Sequence, residues 1–506
     1  MAGQQPAAVH VARGASYLFI QSTATSIMMA ITFAVIARVV TVAEMGTMAV
    51  LMMITGIARI FACVGMPASV TRFVAENLAK KDQETAAGSF YQALRANLAV
   101  SIPIAAATLI LARQLAATLL GDPDKAILFQ ILAFDIIPTG LLPTLNNAML
   151  GLQKIKQLST INIAYMAIRQ ALIAALTVIT RSLQGMVTAW VISELLATLV
   201  LYAYVRSNLG PATFHFDLKH LTKFSFPLFL QDIVNYVYGW FDRAMLLAYS
   251  SLDIVGVYNA SMTAFGVLAS VPSAIATALF PTYSAIQGRG GKETLQSSIR
   301  VASRYVCLIA MPLSFGLAAT AKPALTLFVG EAYAEGTTSL MVLCLFFALT
   351  LASTALTGLL IILEETKLSL KLTALNSAIG VGAAQILLPL SGTTGAAFTR
   401  GITMGTSLLT TLVALRGKIN ISFDREAFWK SLTASSVMAI TIIAIQTYHY
   451  NKYHLPAYVL IGGAIYLAVL RLLHAIKPMD TQLLLEYLGP RFRFISRLLQ
   501  RFTANS

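Results

Sequence analysis

The chain has 506 residues, of which 57% are hydrophobic and 11% charged, and its mean hydropathy is +0.74. A soluble domain is about 25% charged, so this composition excludes a protein that is hydrated over most of its surface. The net charge of +15 is attributed to membrane topology and to anionic lipid headgroups, because no soluble domain is left to carry a basic patch for nucleic acid.

Fourteen apolar segments follow one another along the chain, and each is long enough to cross a hydrocarbon core of about 30 Å. In chain order they are 16–36, 46–66, 94–112, 126–149, 160–179, 185–205, 225–249, 254–279, 302–320, 338–362, 369–389, 394–415, 429–447 and 457–475. The sequence therefore predicts an all-α polytopic membrane protein with about 14 transmembrane helices.

The basic residues set the predicted orientation. With these segments, 26 of the 36 Lys and Arg residues fall on one side, six on the other and four inside segments. Lys and Arg near segment ends stay cytoplasmic during insertion, so both termini are predicted to be cytoplasmic. The tail after Asp480 alternates arginines with apolar residues at helical spacing, which predicts a basic amphipathic helix on anionic lipid of the inner leaflet.

An internal repeat appears at an offset of 210 residues. Leu18-Phe19-Ile20-Gln21 returns as Leu228-Phe229-Leu230-Gln231, Gly46 as Gly256 and Gly56 as Gly266. An offset of six spans preserves orientation, which predicts two parallel pseudo-symmetric six-helix lobes and two extra C-terminal helices. The predicted divisions are an N-terminal lobe 1–205, a cytoplasmic connector 206–224, a C-terminal lobe 225–415, two additional spans 416–475 and the tail 476–506.

Ionisable residues inside the spans are the candidate functional groups, because each costs at least about 2.5 kcal/mol unless it faces water or a partner. Arg59 and Arg169 lie mid-span, too deep to snorkel, and are predicted to bind a phosphate or pyrophosphate in a cavity. The alternative is that they pair with Asp135 or Glu194 and tie helices together. Those two acids and Asp232 are candidates for coupling transport to a cation.

The seventh span carries a polar cluster. Gln231, Asp232 and Asn235 are predicted to line a hydrated path that meets sugar hydroxyls, although hydrogen bonding between helices explains such residues equally well. Asp242 and Arg243 are predicted to form a structural pair or gate, and Arg400 is placed close enough to the outer mouth to snorkel. The histidines and cysteines show no metal-ligand spacing, and no Walker motif is present, so no metal, cofactor or catalytic site is predicted.

Several ordered stretches carry a family resemblance. They are ARVVTVAEMGTMAV at 37–50, ASVTRFVAE at 68–76, FDRAMLLAYSSLDIVGVYNASMT at 241–263, SAIATALFPTYSAI at 273–286 and GTTGAAFTRGI at 392–402. Their succession resembles the oligosaccharide flippase (polysaccharide transporter) branch of the multidrug/oligosaccharidyl-lipid/polysaccharide exporter superfamily. The first loop departs from the usual pattern, which leaves the substrate unassigned.

The resemblance implies a non-enzymatic flippase of the cell membrane. Similar proteins move polyprenyl- or dolichyl-(pyro)phosphate-linked glycans from the inner to the outer leaflet by alternating access, and a monomer that works beside glycan-assembly enzymes is expected. One alternative is a drug or cation exporter of the same superfamily, in which acidic rather than basic cavity groups are expected. The other is a membrane-embedded glycan polymerase, against which the short outer loops argue.

Overall fold

A computed structural model describes residues 4–211, 217–288, 291–351, 356, 359–363, 365–419 and 423–475. Part of the predicted connector and the whole predicted amphipathic tail lie outside these residues. The described α-helices are α1 Gln4–Ile36, α2 Val42–Cys63, α3 Met66–Ala79, α4 Gln83–Ile110, α5 Ala112–Leu120, α6 Ala126–Gly151, α7 Ile155–Thr180, α8 Leu183–Leu209, α9 Leu218–Tyr249, α10 Leu252–Gly288, α11 Lys292–Ala319, α12 Ala321–Phe328, α13 Thr337–Thr350, α14 Leu359–Ile362, α15 Thr366–Leu415, α16 Arg425–Tyr448 and α17 Leu455–Leu472.

The predicted all-α membrane class is confirmed. Among the described residues, 11 helices are long and apolar enough to span a membrane, and α15 covers two of the predicted spans in a single element of 50 residues. Helix α15 is interrupted at Gly392, whose φ of 51° and ψ of −123° lie outside the helical region. Helix α9, which carries the predicted polar cluster, is outside this set of 11, as is α1, whose apolar part is shorter.

The order of the helices repeats along the chain. Helices α10, α11, α12, α13 and α15 begin 209 to 211 residues after α2, α4, α5, α6 and α7, respectively. The short helices α5 and α12 are each followed by a 3₁₀ turn, at Pro123–Lys125 and Glu331–Gly336. This spacing agrees with the 210-residue offset of the sequence repeat, and the two-lobe fold is thereby confirmed.

Three connections are more structured than predicted. The segment after the second span forms α3, because Val64 and Gly65 take left-handed conformations that end α2, and Pro67 starts the next helix. The loops predicted around 113–125 and 321–337 contain α5 and α12. Helices of 8 to 14 residues are too short to stand out in a search for membrane spans.

The chain forms two compact units. Unit 1 contains Met1–Ser270 and Thr366–Thr403, and unit 2 contains Val271–Glu365 and Met404–Ser506. Within unit 1, α6 packs against α2, α3, α4 and α8, and α9 packs against α2 and α3. Within unit 2, α16 packs against α11 and α17. The unit boundaries differ from the predicted domain limits, and the division into residues 1–205, 206–224, 225–415, 416–475 and 476–506 stays a prediction.

Candidate functional site

Helices α2 and α10 approach each other through glycines that the sequence repeat relates. A Cβ on Gly46 would clash with the carbonyl of Leu252, lying 2.7 Å from its carbon. A Cβ on Gly256 would clash with the carbonyl of Val42 and lie 3.0 Å from the Gly46 nitrogen. Each contact is the other shifted by 210 residues, which is the reciprocal pattern of a two-fold axis. The pseudo-symmetry axis of the repeat therefore passes between Gly46 and Gly256.

Ten residues further along α2, Gly56 lies close to α9. A Cβ on Gly56 would lie 2.7 Å from the hydroxyl oxygen of Tyr236 and 3.0 Å from Cζ, so only glycine lets this ring lie on the helix. The Tyr236 hydroxyl donates a hydrogen bond to the carbonyl of Met53, and its ring stacks on Trp240 at 5.9 Å between centroids. The aromatic pair of α9 is thereby fixed against α2.

A cavity of about 390 Å³ lies beside this aromatic pair. Its lining residues are Arg59, Ile60, Cys63, Pro67, Pro143, Asp232, Asn235, Tyr236, Gly239 and Trp240. We call it the Arg59 chamber. Its volume is within the range of about 300–1,000 Å³ that is typical of small-molecule sites. Arg59, Asp232 and Asn235 are all exposed, so three of the five predicted substrate-binding residues share one cavity.

The charges of the chamber are mixed rather than purely cationic. Arg59 has no carboxylate within 4.0 Å in the described part of the chain, although Asp232 lies in the same cavity and interacts with it electrostatically. Its guanidinium therefore keeps its planar set of donors available for an oxyanion. Gln231, the fourth predicted residue, is half-buried and is outside the lining of the chamber.

Arg169 lies in a different environment, inside a cluster that joins α6, α7 and α8. It pairs with Glu194 at 3.6 Å, and the exposed fractions of the two side chains are 16% and 9%. Its guanidinium also lies 5.0 Å above the ring of Trp190 and donates a 2.9 Å hydrogen bond to the Tyr165 hydroxyl. This geometry corresponds to the alternative in which Arg169 pairs with an acidic residue and ties helices together. A contact between Arg169 and substrate stays a prediction.

The two acids of this cluster differ in their hydrogen bonding. Glu194 accepts hydrogen bonds from the Trp190 indole at 2.7 Å and from the Thr139 hydroxyl at 2.9 Å. Asp135 is fully buried in α6, and neither of its carboxylate oxygens has a hydrogen-bond partner among the described residues. Glu194 and Arg169 are the charged groups that act on it. A carboxylate without hydrogen-bond donors is costly in such surroundings.

The structure corrects the predicted snorkelling of Arg400, and it adds this arginine to the predicted pair of Asp242 and Arg243. Arg400 is 5% exposed and pairs with Asp242 at 2.9 Å, while donating to the backbone carbonyls of Tyr238 and Gly239. Asp242 also accepts a hydrogen bond from the Arg243 amide, and the Arg243 guanidinium lies 4.5 Å above the ring of Trp240. Asp242 is fully buried, and a buried carboxylate is stable only when its oxygens are paired and hydrogen-bonded. Its partners come from α9, α10 and α15, and they include the Tyr258 hydroxyl of α10, which donates a hydrogen bond to it.

Sequence reasoning missed a further buried ion pair in unit 2. Arg304 in α11 is 6% exposed, lies 3.2 Å from Asp424 and donates a 2.6 Å hydrogen bond to the carbonyl of Ala475. Asp424 also caps α16 by accepting from the Ala427 amide. The sequence signal for this pair is an arginine inside a predicted span. Because Arg304 is close to the start of that span, its side chain would be expected to extend to the membrane–water interface rather than to be buried.

Comparisons with known proteins agree with this fold. A family model described as polysaccharide biosynthesis protein matches residues 35–338, and one described as lipid II flippase MurJ matches residues 254–469. A curated relative, the succinoglycan biosynthesis transport protein ExoT of Rhizobium meliloti (strain 1021), is 25% identical over 339 residues. That match covers 64% of this chain, and the chain spans 63% of the length of that relative.

Solved structures share the fold at low sequence identity. A structure of lipid II flippase MurJ in an inward closed conformation matches with a TM-score of 0.69 and 13% identity, covering 91% of this chain and 97% of that one. An inward-facing multidrug resistance MATE family transporter of the MOP superfamily matches with a TM-score of 0.61 and 14% identity, covering 83% and 95%. The first family model covers more than half of the chain. The chain is therefore a multi-pass membrane protein that belongs to the polysaccharide biosynthesis protein family, in the polysaccharide transporter branch of the multidrug/oligosaccharidyl-lipid/polysaccharide exporter superfamily.

Proposed function

We propose that this protein is a flippase that moves a lipid-linked oligosaccharide from the inner to the outer leaflet. The observation that carries the proposal is that Arg59 is exposed in a chamber with Asp232 and Asn235 and has no carboxylate within 4.0 Å in the part of the chain that the structure describes. A guanidinium recognises a phosphate or pyrophosphate, and an adjacent amide and carboxylate suit sugar hydroxyls. A family of polysaccharide transporters and a MurJ-like fold support the same cargo class.

The role of the protein is transport without covalent chemistry, in the plasma membrane and with both termini in the cytoplasm. Transport then requires the chamber to open to each side in turn. The Gly46–Gly256 contact is suited to one closed side, because two helices that meet through backbone atoms can part without unpacking large side chains. Further partners in this proposal are anionic lipid at the basic tail and the enzymes that assemble the glycan.

Asp135 is the proposed coupling residue, with Glu194 as its neighbour. Its carboxylate is buried and receives no hydrogen bond from the described residues, so taking up a proton removes an unfavourable charge from the membrane interior. Arg169 supplies one positive charge to two acids, which leaves the cluster with room for one more cation. A proton gradient acting at Asp135 would then bias the transporter between its states.

A drug or cation exporter is the second candidate. Asp232 and the aromatic rings of Tyr236 and Trp240 line the same chamber, and such groups attract organic cations. Arg59 in that chamber repels them, which is why the flippase is preferred. The two candidates predict opposite effects for the same change: removing Arg59 weakens transport of an anionic glycolipid and favours transport of an organic cation.

The test uses the full chain in proteoliposomes with a fluorescent polyprenyl-pyrophosphate glycan in the inner leaflet. Loss of one charge-assisted contact costs about 1.5–3 kcal/mol, so Arg59→Ala should slow flipping by about tenfold to about a hundredfold. Arg59→Lys, which keeps the charge but loses the planar fork, should recover part of the rate. Equal flipping by wild type and Arg59→Ala would contradict the proposal, and uptake of ethidium in its place would support the exporter.

A further inference from the structure

A second concavity adjoins the Arg59 chamber. It measures about 380 Å³ and lies between α2 and α9, with one residue of α15. Its lining residues are Met53, Ile57, Ile60, Phe61, Ile233, Tyr236, Val237, Trp240, Phe241, Ala244, Met245 and Val381. We call it the apolar groove. Apart from the tyrosine hydroxyl and the indole N–H, every one of these side chains is apolar.

The groove and the chamber share three residues. Ile60, Tyr236 and Trp240 line both, so the stacked rings of Tyr236 and Trp240 form a common wall. The hydrogen bond from Tyr236 to the Met53 carbonyl holds this wall against α2. If the charged group of a ligand contacts Arg59, the atoms bonded to that group can therefore lie beside the apolar groove, which has a similar volume.

We infer that the apolar groove binds the isoprenoid chain of the carrier lipid at the end next to its phosphate. This inference rests on the proposed function, because it places the two halves of one amphipathic ligand in two adjoining sites. Ile57, Phe61 and Val237 are 38%, 47% and 41% exposed at the groove, so the chain has a way in. The linkage matters energetically, since binding of one half places the other at high effective concentration.

The apolar groove gives no hydrophobic gain over the bilayer, because lipid tails are as apolar as its side chains. Its contribution to affinity comes from shape and pre-organisation, and it is lost when the cleft is filled. An isoprenoid chain is the committed occupant, because an ordinary acyl chain is joined to a glycerol headgroup rather than directly to the phosphate that Arg59 would hold. An acyl chain is the competing outcome.

The first experiment fills the apolar groove without touching the chamber. Ile57 lines only the groove, so Ile57→Trp in the full chain in phospholipid nanodiscs should weaken binding of a long-chain polyprenyl pyrophosphate by about tenfold. Binding of inorganic pyrophosphate should be unchanged, which also shows that the variant is folded. Ile102→Trp, at a 53% exposed position on α4, is the matched control and should change neither affinity.

The outcomes separate the two proposals. Unchanged affinity of Ile57→Trp for the polyprenyl probe, with a loss in Arg59→Ala, would overturn the groove assignment and leave the chamber in place. Unchanged affinity of Arg59→Ala for both probes would instead count against the proposed function.

A crosslinking experiment decides the matter if Ile57→Trp does not fold. A benzophenone amino acid replacing Val237 should label a polyprenyl pyrophosphate, and excess polyprenyl phosphate should compete while phospholipid should not. Equal competition by phospholipid would assign the apolar groove to an ordinary acyl chain and overturn the inference.

Discussion

Arg59 and Arg169 are both arginines inside apolar helices, yet the structure gives them opposite surroundings. Arg59 on α2 is exposed in a chamber and has no carboxylate within 4.0 Å among the described residues. Arg169 on α7 is enclosed by Glu194, Tyr165 and Trp190. A deep arginine is therefore no evidence of a binding site by itself; the partners that neighbouring helices supply decide whether it binds ligand or stabilises the bundle.

The largest expected effect tests this contrast through stability. Arg169→Ala leaves Glu194 buried without its cation and should lower the free energy of unfolding by about 3–5 kcal/mol. Arg59→Ala removes an exposed side chain and should change the same free energy by no more than about 0.5 kcal/mol. Unfolding measured in bicelles compares them directly. Similar losses in the two variants would show that Arg59 is also a structural residue.

A second test addresses the reciprocal glycine contact. Gly46→Ala places a methyl group against the Leu252 carbonyl, so the helices must separate at a cost of about 1–3 kcal/mol. Gly266→Ala is the matched control, because among the described residues no atom outside its own helical turn lies within 4 Å of the added Cβ, and replacing a helical glycine there should stabilise by about 0.5–1 kcal/mol. Effects of the same sign in both variants would count against a close α2–α10 contact. Spin labels on α2 and α10 would report the separation.

The sequence predicts the helices well and their contacts only in part. Segment length and the basic-residue bias locate the spans, and the offset of Gly46 and Gly256 reveals the repeat. The contact between these two glycines can be inferred only if the repeat is known to be two-fold. Residues close to a two-fold axis contact the residues that the axis relates to them. Asp242 and Arg400 both stand out as ionisable residues in apolar segments, but 158 residues separate them and their pairing depends on how α9 and α15 pack.

The candidate site shows the same limit. Arg59, Asp232 and Asn235 could be selected because charged and amide groups in apolar spans are rare. Tyr236 and Trp240 could not, since aromatic residues on a membrane helix are common and only the Gly56 contact marks the position of Tyr236. The partners of Arg169 were beyond reach for a similar reason: rotation of α7 and α8 about their own axes is set by packing, which a hydropathy pattern does not record.

Asp135 should be distinguishable from Glu194 within one cluster. Asp135→Asn loses no hydrogen bond to any residue that the structure describes, so its effect on the free energy of unfolding should stay within about 1 kcal/mol. Stimulation of flipping by a pH gradient should nevertheless be lost, since an amide cannot take up the proton. Glu194→Gln is the comparison and should destabilise more, because it places an amide group against the donors of Trp190 and Thr139. Retained stimulation in Asp135→Asn would remove the coupling role.

The smallest expected effect concerns the wall between the Arg59 chamber and the apolar groove. Tyr236→Phe keeps the ring on Gly56 and the stack on Trp240 but removes the hydrogen bond to the Met53 carbonyl, which should cost about 0.5–1.5 kcal/mol. Tyr249→Phe, at a 51% exposed position near the end of α9, should change stability by less. Because the ring, rather than the hydroxyl, forms part of the wall between polar and apolar space, Tyr236→Phe should keep flipping near the wild-type rate while Tyr236→Ala should impair it. Equal impairment by Phe and Ala would show that the hydroxyl, rather than the ring, is what the site requires.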